Sequence, residues 1–163
     1  MFTYTFANNT SEFDVTFWPP FKRFHTCKAA TLTKSESYYH NNDKVETRYD
    51  YLVSYATPIA LVKTVFINDV VEYNDIFIND ASFNCSTTTI QQLSRFLRES
   101  DHIDASYSEV KQAIRECDKL GHFDTTIETA LFPVRVIPLC RSSLEAHAYA
   151  AFGEDSKFGI YSL

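Results

Sequence analysis

Histidine, cysteine and carboxylate side chains lie within a few residues of each other at two places in the sequence. His102 is followed by Asp104, and such a pair can act as a general base and the carboxylate that orients it. Cys117 precedes His122 by five residues, with Gly121 between them. No nucleophile lies at a diagnostic spacing from His102, and the negative end of a helix disfavours a Cys117 thiolate. We therefore expect no catalytic residues, and a small hydrolase-like enzyme that uses His102 or His122 is an alternative.

An acidic stretch of the chain could bind a partner of opposite charge. Between Thr64 and Ser94 there is no lysine or arginine. The turns of a sheet would gather the carboxylates of this stretch on an acidic face, which would speed association with a basic surface such as the nucleic-acid channel of a nuclease. The alternative is a set of solvated turn residues without a partner. The candidate residues are Asp69, Glu72, Asp75 and Asp80.

Basic residues lie beside aromatic residues in the segment 21–39. Bases of single-stranded nucleic acid stack on aromatic rings next to cations, so this segment is the candidate site of a nucleic-acid-associated accessory protein. A strand that carries Phe21 and Phe24 inward and its cations outward would give the same pattern, and we favour that interpretation. The candidate cations are Lys22, Arg23, Lys28 and Lys34.

Tyrosine is abundant, with 10 residues in a chain of 163. Tyrosine side chains carry much of the binding energy at protein interfaces, because each combines an apolar ring with a hydroxyl. Sequence alone does not separate exposed from buried tyrosines. The main candidates for contact with a partner are Tyr38, Tyr39, Tyr55 and Tyr73, with Tyr49 and Tyr51 as further members.

The composition disfavours several other kinds of site. The first of only three glycines is Gly121, so the chain lacks the glycine-rich loops that bind nucleotides. A formal net charge of −6 disfavours general binding to nucleic acid, whose phosphates attract basic proteins. No two cysteines have the spacing of a zinc ribbon. We therefore expect no cofactor and no bound metal.

The N-terminal residues predict a strand rather than a signal peptide, and no apolar run approaches the roughly 18 residues of a membrane span. We therefore expect a cytoplasmic protein with reduced thiols. In that compartment the cysteines are predicted to be buried as small apolar side chains. They are Cys27, Cys85, Cys117 and Cys140.

The elements that must position these residues form one predicted domain over 1–163, with strands mainly in 1–86. Alternating apolar and polar residues, and runs rich in β-branched and aromatic residues, predict these strands. Residues 34–44 are polar and are predicted to form a loop. The predicted strands cover about 13–18, 27–33, 46–55, 58–67, 70–73 and 76–78.

Residues 87–152 are predicted to be mainly helical, followed by a tail over 153–163. A first helix runs to near Ser100, and a second begins at the capping box of Ser106 and Glu109. Gly121 ends that second helix. Prolines bound the segment 131–139, which is predicted to be an edge strand. A third helix is predicted to begin at Ser142 and to end near Phe152. Together these elements predict an α+β fold, a mostly antiparallel meander with two or three helices packed on one face.

Two segments of the sequence are distinctive. They are Ser54-Tyr55-Ala56-Thr57-Pro58-Ile59-Ala60, and Cys85-Ser86-Thr87-Thr88-Thr89 followed by Phe96-Leu97-Arg98-Glu99. Together they resemble a small family of proteins from bacteriophages and mobile elements of bacteria. The resemblance rests on an S-Y-x-T-P-I-A motif and an S-x-T-T motif and covers about residues 49–99. Where the family has a histidine early in the helix, this chain has Gln91, Gln92 and Leu93.

The resemblance implies a biological setting rather than a chemistry, because the family has no established reaction. It implies a small protein that is made by a mobile element and acts in the cytoplasm of the host. By analogy with other such proteins, we expect a non-enzymatic inhibitor of host defence that resembles anti-CRISPR proteins. The expected partner is a host protein, such as a CRISPR nuclease or its RNA-bound complex.

Overall fold

The computed structural model describes residues 2–7, 12–18, 29–54, 57–81, 87–153 and 156. Side chains are described from Ala29 onward within these ranges, except at Thr87 and Thr88. The elements in these ranges are β1 (Phe2–Ala7), β2 (Glu12–Trp18), β3 (Ala29–His40), β4 (Asp43–Ser54), β5 (Thr57–Ile67), β6 (Val70–Asn79), α1 (Thr87–Glu99), α2 (Tyr107–Leu120), β7 (Thr125–Ile127), β8 (Val134–Leu139) and α3 (Arg141–Phe152). No helix in these ranges is long and apolar enough to span a lipid bilayer.

The strands form one sheet in the order β1-β2-β3-β4-β5-β6-β8-β7. The first six are antiparallel neighbours along the chain, as short connections favour. β8 lies parallel to β6, after a connection that contains α1 and α2. β7 pairs antiparallel with β8 and ends the sheet. This mostly antiparallel sheet with its helices confirms the predicted α+β class.

Helices pack on both faces of the sheet. Ala60 and Leu61 are adjacent in β5 and point to opposite faces. Ala60 belongs to a core cluster with Leu93 of α1 and Val110 of α2. Leu61 belongs to a second cluster with Leu144 of α3. The prediction of two helices on one face is thus confirmed for α1 and α2, while α3 lies on the other face. Periodicity shows which side of a helix is buried, but not which face of the sheet receives it.

The predicted loop over 34–44 is wrong, because its polar residues extend β3 and β4 into a long hairpin. Only Asn41 and Asn42 lie outside the strands, with φ of 50° and 68°. Two successive positive φ angles are typical of the two-residue turns that join antiparallel strands. Every residue from Ser35 to His40 is exposed, so the hairpin has no buried face that would produce an alternating pattern.

Two further strand predictions need correction. The predicted strands 70–73 and 76–78 form one continuous strand, β6. The segment 131–139 is not an edge strand, because β8 has β6 on one side and β7 on the other. Pro138 is tolerated inside the sheet near the end of β8. β7 has only three residues and was not predicted.

The ends of α2 agree with the prediction. The Ser106 Oγ accepts a hydrogen bond from the Glu109 backbone N–H at 3.2 Å, and the Glu109 Oε1 accepts one from the Ser106 N–H at 3.1 Å. Gly121 ends the helix with φ of 66°. The start of α3 differs, because Cys140 is its N-cap and the predicted Ser142 cap is inside the helix.

Candidate functional site

α3 covers only part of its face of the sheet. The Phe152 ring stacks on Tyr51 with 6.0 Å between centroids and lies edge-on to Tyr49 at 6.4 Å. The Lys34 Nζ donates a hydrogen bond to the Ala151 carbonyl at 2.9 Å. β3 and β4 continue beyond these contacts to the turn that joins them. In the described part of the molecule, no helix covers this outer part of the face.

The strand register places three rows of side chains on this uncovered surface and at its border with α3. The row nearest α3 contains Lys34, Tyr49, Lys63, Asp75 and Arg135. The next row contains Glu36, Thr47, Val65 and Tyr73, and the outermost contains Tyr38, Val45, Ile67 and Val70. We call Tyr38, Tyr49, Tyr73, Lys63 and Arg135 the tyrosine face.

Burial and neighbouring acidic groups act on two tyrosines of this face, Tyr49 and Tyr73. Burial raises the pKa of Tyr49, and the Glu36 carboxylate and Tyr73 raise it further. Burial also raises the pKa of Tyr73, with smaller contributions from Asp75 and Tyr38. These hydroxyls therefore stay protonated and can donate hydrogen bonds at physiological pH. No described residue forms a hydrogen bond with the hydroxyl of any of the three tyrosines.

Ion pairs neutralise most of the charge on this surface. Arg135 donates from Nε to the Asp75 Oδ1 at 3.1 Å and from Nη2 to the Oδ2 at 3.2 Å. The Lys34 Nζ lies 2.9 Å from the Glu36 Oε1. Lys63 forms no ion pair or hydrogen bond with the described residues. The surface is therefore close to neutral, with one unpaired cation among its tyrosines.

The structure separates the tyrosines that the sequence nominated. Tyr38 lies on the tyrosine face with 59% of its surface exposed. Tyr39 is 76% exposed but points to the opposite face, because neighbours in a strand alternate. Tyr73 lies on the tyrosine face, Tyr51 is buried under α3, and Tyr55 lies outside the described residues.

The four nominated acidic residues are spread along the whole of β6. Asp69 lies in the turn before β6, and its exposed carboxylate is 3.6 Å from the Lys44 Nζ. Glu72 is exposed near that end of the strand, whereas Asp80 follows the opposite end. Asp75 lies between them, is 8% exposed and is engaged by Arg135, as described above. Three of the four carboxylates are thus open to solvent, at two separate places.

The nominated nucleic-acid-binding residues are only partly described. Lys22, Arg23 and Lys28 lie outside the described residues. The Lys34 ammonium is held by the Glu36 carboxylate and the Ala151 carbonyl. The Lys34 ammonium therefore already has an ion-pair partner and a hydrogen-bond partner within the chain.

The expected pairing of His102 with Asp104 is wrong. The His102 Nε2 lies 2.6 Å from the Asp50 Oδ2, and its Nδ1 lies 3.2 Å from the Asp101 Oδ1. Asp50 and His102 are both buried, whereas Asp104 is exposed. Sequence spacing could not reveal a partner on a distant strand. Among the described residues, the only hydroxyl bonded to the pair is that of Thr33, which donates to the Asp50 Oδ1 at 3.0 Å.

The pair of Asp50 and His102 joins the α1–α2 loop to the sheet. No described serine, threonine or cysteine is hydrogen-bonded to the His102 ring. His122 is exposed, and its backbone N–H donates a hydrogen bond to the Cys117 carbonyl at 3.0 Å. Burial raises the pKa of the Cys117 thiol, which disfavours a nucleophilic thiolate.

The cysteines are not all buried. Cys117 is buried as predicted, but Cys140 is exposed, so the prediction is wrong for Cys140. Cys27 and Cys85 lie outside the described residues. Within the described ranges, no three histidine, cysteine, aspartate or glutamate side chains are grouped so that they could hold a metal ion.

Two members of the tyrosine face, Lys63 and Arg135, were not found from the sequence. Their neighbours on this surface come from strand pairing, which local sequence does not encode. The sequence indicates these two residues only in that each is a cation that interrupts a run of apolar strand residues. Comparison with models of protein families, with curated proteins and with solved structures finds no match.

Proposed function

We propose that this protein is a non-enzymatic binding protein that contacts a partner protein through the tyrosine face. The supporting observation is three tyrosines with unbonded hydroxyls on one face of the sheet. Tyr38 and Tyr73 lie where no described helix covers this face, and Tyr49 lies at the border, beside Phe152 of α3. Val65 and Ile67 lie between these tyrosines and remain partly exposed. Such a mixture of aromatic rings, apolar groups and an arginine is typical of the residues that dominate protein interfaces.

The charge balance favours a protein over a nucleic acid as the partner. Affinity for nucleic acid comes mainly from several cations that neutralise phosphates. On this face Arg135 and Lys34 are paired with carboxylates, and Lys63 alone is unpaired among the described residues. A protein surface that offers hydrogen-bond acceptors to the tyrosines and one carboxylate to Lys63 fits this arrangement.

We further propose a nuclease of the host's defence as the partner, in accordance with the resemblance to proteins of bacteriophages and mobile elements. A CRISPR nuclease, free or bound to its RNA, has the basic channel that such an inhibitor would approach. The exposed carboxylates of Asp69, Glu72 and Asp80 would then favour encounter, while the tyrosine face would supply the lasting contacts. The site of action would be the host cytoplasm.

A double substitution tests this proposal. Tyr38→Ser together with Tyr73→Ser removes two rings from the tyrosine face, and Tyr39→Ser removes a more exposed ring from the other face. Binding to purified CRISPR nucleases, with and without guide RNA, is measured by surface plasmon resonance, and inhibition of DNA cleavage is measured in parallel. We expect the double variant to bind at least about 30-fold more weakly, as for a hot-spot residue.

The control variant and a nucleic-acid probe complete the test. Tyr39→Ser should keep both affinity and inhibition, and circular dichroism should show that all variants are folded. If the double variant and Tyr39→Ser weaken binding equally, the proposed surface is wrong. If no nuclease binds the unmodified protein, the proposed partner is wrong. Binding of labelled single-stranded RNA or DNA that depends on Tyr38 and Tyr73 would show that the tyrosine face binds a nucleic acid and not a protein.

A further inference from the structure

A groove of about 390 Å³ lies between α2 and β7, on the side of the sheet away from α3. Ala113 of α2 and Ile127 of β7 both line it and belong to or pack against the core there, so its base is partly apolar. The groove does not include any residue of the tyrosine face. An inference about it therefore stands independently of the proposed function.

β7 meets this groove along its edge. Thr125, Thr126, Ile127 and Glu128 all line the groove. Thr125–Ile127 are the three residues of β7, and Glu128 follows directly. Successive residues of a strand point to opposite faces, so a groove lined by three consecutive strand residues reaches the strand's edge. β7 ends the sheet, and its outward N–H and C=O groups have no partner among the described residues. An unpaired edge of this kind can accept an extended peptide as an additional strand.

The charge of the groove selects the kind of peptide that would fit. Glu109, Glu116 and Glu128 line it, and no lysine or arginine does. Burial raises the pKa of the nearby Cys117 thiol, and Asp124, Asp118 and Glu116, of which Glu116 lines the groove, raise it further. A peptide with lysine or arginine side chains would complement this potential, and an acidic peptide would be repelled.

We infer that the α2–β7 groove binds an extended basic segment of another protein as an added strand on β7. Backbone hydrogen bonds to the β7 edge would hold the segment. Its cations would face the glutamates, and an apolar side chain would contact Ala113 and Ile127. Since β7 has three residues, the recognised segment is short and the interaction is weak unless a second contact supports it.

The inference is tested with a synthetic pentapeptide of alternating valine and lysine, blocked at both ends. Binding at low ionic strength is followed by the backbone amide signals of the ¹⁵N-labelled protein. With the valine–lysine peptide we expect saturable chemical-shift changes of the backbone amides of Thr125–Ile127. With the matched valine–glutamate peptide we expect no such changes. Glu116→Gln with Glu128→Gln should weaken binding about tenfold, as expected for the loss of two exposed charge contacts. Glu99→Gln with Glu145→Gln, two exposed acids outside the groove, should leave the affinity unchanged.

A backbone-modified probe separates strand addition from simple charge attraction. The valine–lysine peptide with N-methylated valines keeps its charge but loses backbone donors, so it should bind at least about tenfold more weakly if a ladder forms. Equal affinity for the methylated peptide, or equal weakening by the two double variants, would overturn the inference. Shifts confined to residues outside β7 and α2 would also overturn it.

Discussion

At the scale of single residues, Cys140 and Cys117 occupy opposite environments. The Cys140 sulfur is exposed, with the Ser142 and Ser143 hydroxyls at 3.4 and 3.3 Å. Hydrogen bonds with these hydroxyls, above all that of Ser142, lower the pKa of the Cys140 thiol to about 7. Burial instead raises the pKa of Cys117. Because the thiolate is the reactive form, Cys140 is the more reactive of the two at neutral pH.

We expect the alkylation of Cys140 by iodoacetamide to accelerate as pH rises and to reach half its maximal rate near pH 7, because the thiolate fraction follows the lowered pKa. Cys117 should remain unmodified in the folded protein, and mass spectrometry of the peptides follows each thiol separately. Ser142→Ala with Ser143→Ala should move the midpoint up toward 9.0, the ordinary thiol value. A midpoint that stays near 7 in that variant would contradict the assigned cause.

The tyrosine face shows what residue-level prediction can achieve. Tyrosine content nominated Tyr38 and Tyr73 as contact residues, and the strand register places both on the tyrosine face. The same reasoning also selected Tyr39, although the alternation of a strand sends Tyr38 and Tyr39 to opposite faces. Lys63 required the register of β5 against β4 and β6, which is a long-range property of the sheet.

At the scale of elements, local signals were sufficient wherever the stabilising contacts are local. The capping box of Ser106 and Glu109 and the positive φ of Gly121 fixed both ends of α2. Asn-Asp pairs are typical of turns without glycine, and the chain has two of them, Asn68-Asp69 and Asn79-Asp80. The first pair joins β5 to β6 with φ of 51° and 68°. Asn79 of the second pair remains in β6, where its amide donates to the Pro58 carbonyl at 2.9 Å.

Elements positioned by distant contacts were not predictable in the same way. The parallel pairing of β8 with β6, and the placement of α3 on the face opposite α1 and α2, depend on how the chain returns to the sheet. The α1–α2 loop is a clear example. The Asn74 Nδ2 donates to the His102 carbonyl at 3.1 Å, and its Oδ1 accepts from the Asp104 N–H at 3.2 Å. Together with Asp50 and His102, Asn74 fixes this loop to β4 and β6.

We expect His102→Ala to lower the free energy of unfolding by about 3 kcal/mol, because it leaves the buried Asp50 carboxylate without its closest partner. Asp104→Ala is the matched control, since that side chain is exposed in the same loop and does not contact His102; its effect should stay within about 0.5 kcal/mol. Urea unfolding followed by circular dichroism measures both changes. Similar losses in the two variants would show that the pair does not stabilise the loop.

At the scale of the whole molecule, the negative charge and the tyrosine face are separate features. The chain has a formal net charge of −6, yet the charges on the tyrosine face are largely paired with each other. The exposed acids Asp69, Glu72 and Asp80 instead lie at the ends of β6. Long-range attraction and short-range contact should therefore influence different steps of binding, since surface charge acts mainly on the rate of encounter.

We expect Asp69→Lys, Glu72→Lys and Asp80→Lys together to slow association with a nuclease partner about tenfold at low ionic strength, and to leave dissociation nearly unchanged. Asp75 is kept, because it holds Arg135 in the tyrosine face. The Tyr38→Ser and Tyr73→Ser variant should behave in the opposite way, with faster dissociation and unaltered association. Surface plasmon resonance at low and high salt resolves the two rates.

The control for this charge reversal is a second triple variant, Asp104→Lys, Glu116→Lys and Asp118→Lys, whose exposed acids lie in α2 and in the loop that precedes it. Each triple variant raises the formal net charge from −6 to zero. If the acids at the ends of β6 direct the encounter, only their reversal slows association strongly, because the potential of an exposed charge decays within about 10 Å at moderate salt. Equal slowing by both variants would mean that net charge acts without a defined acidic surface. An unchanged association rate in both would show that the negative charge has no part in recognition, and the tyrosine face would then have to account for the encounter as well.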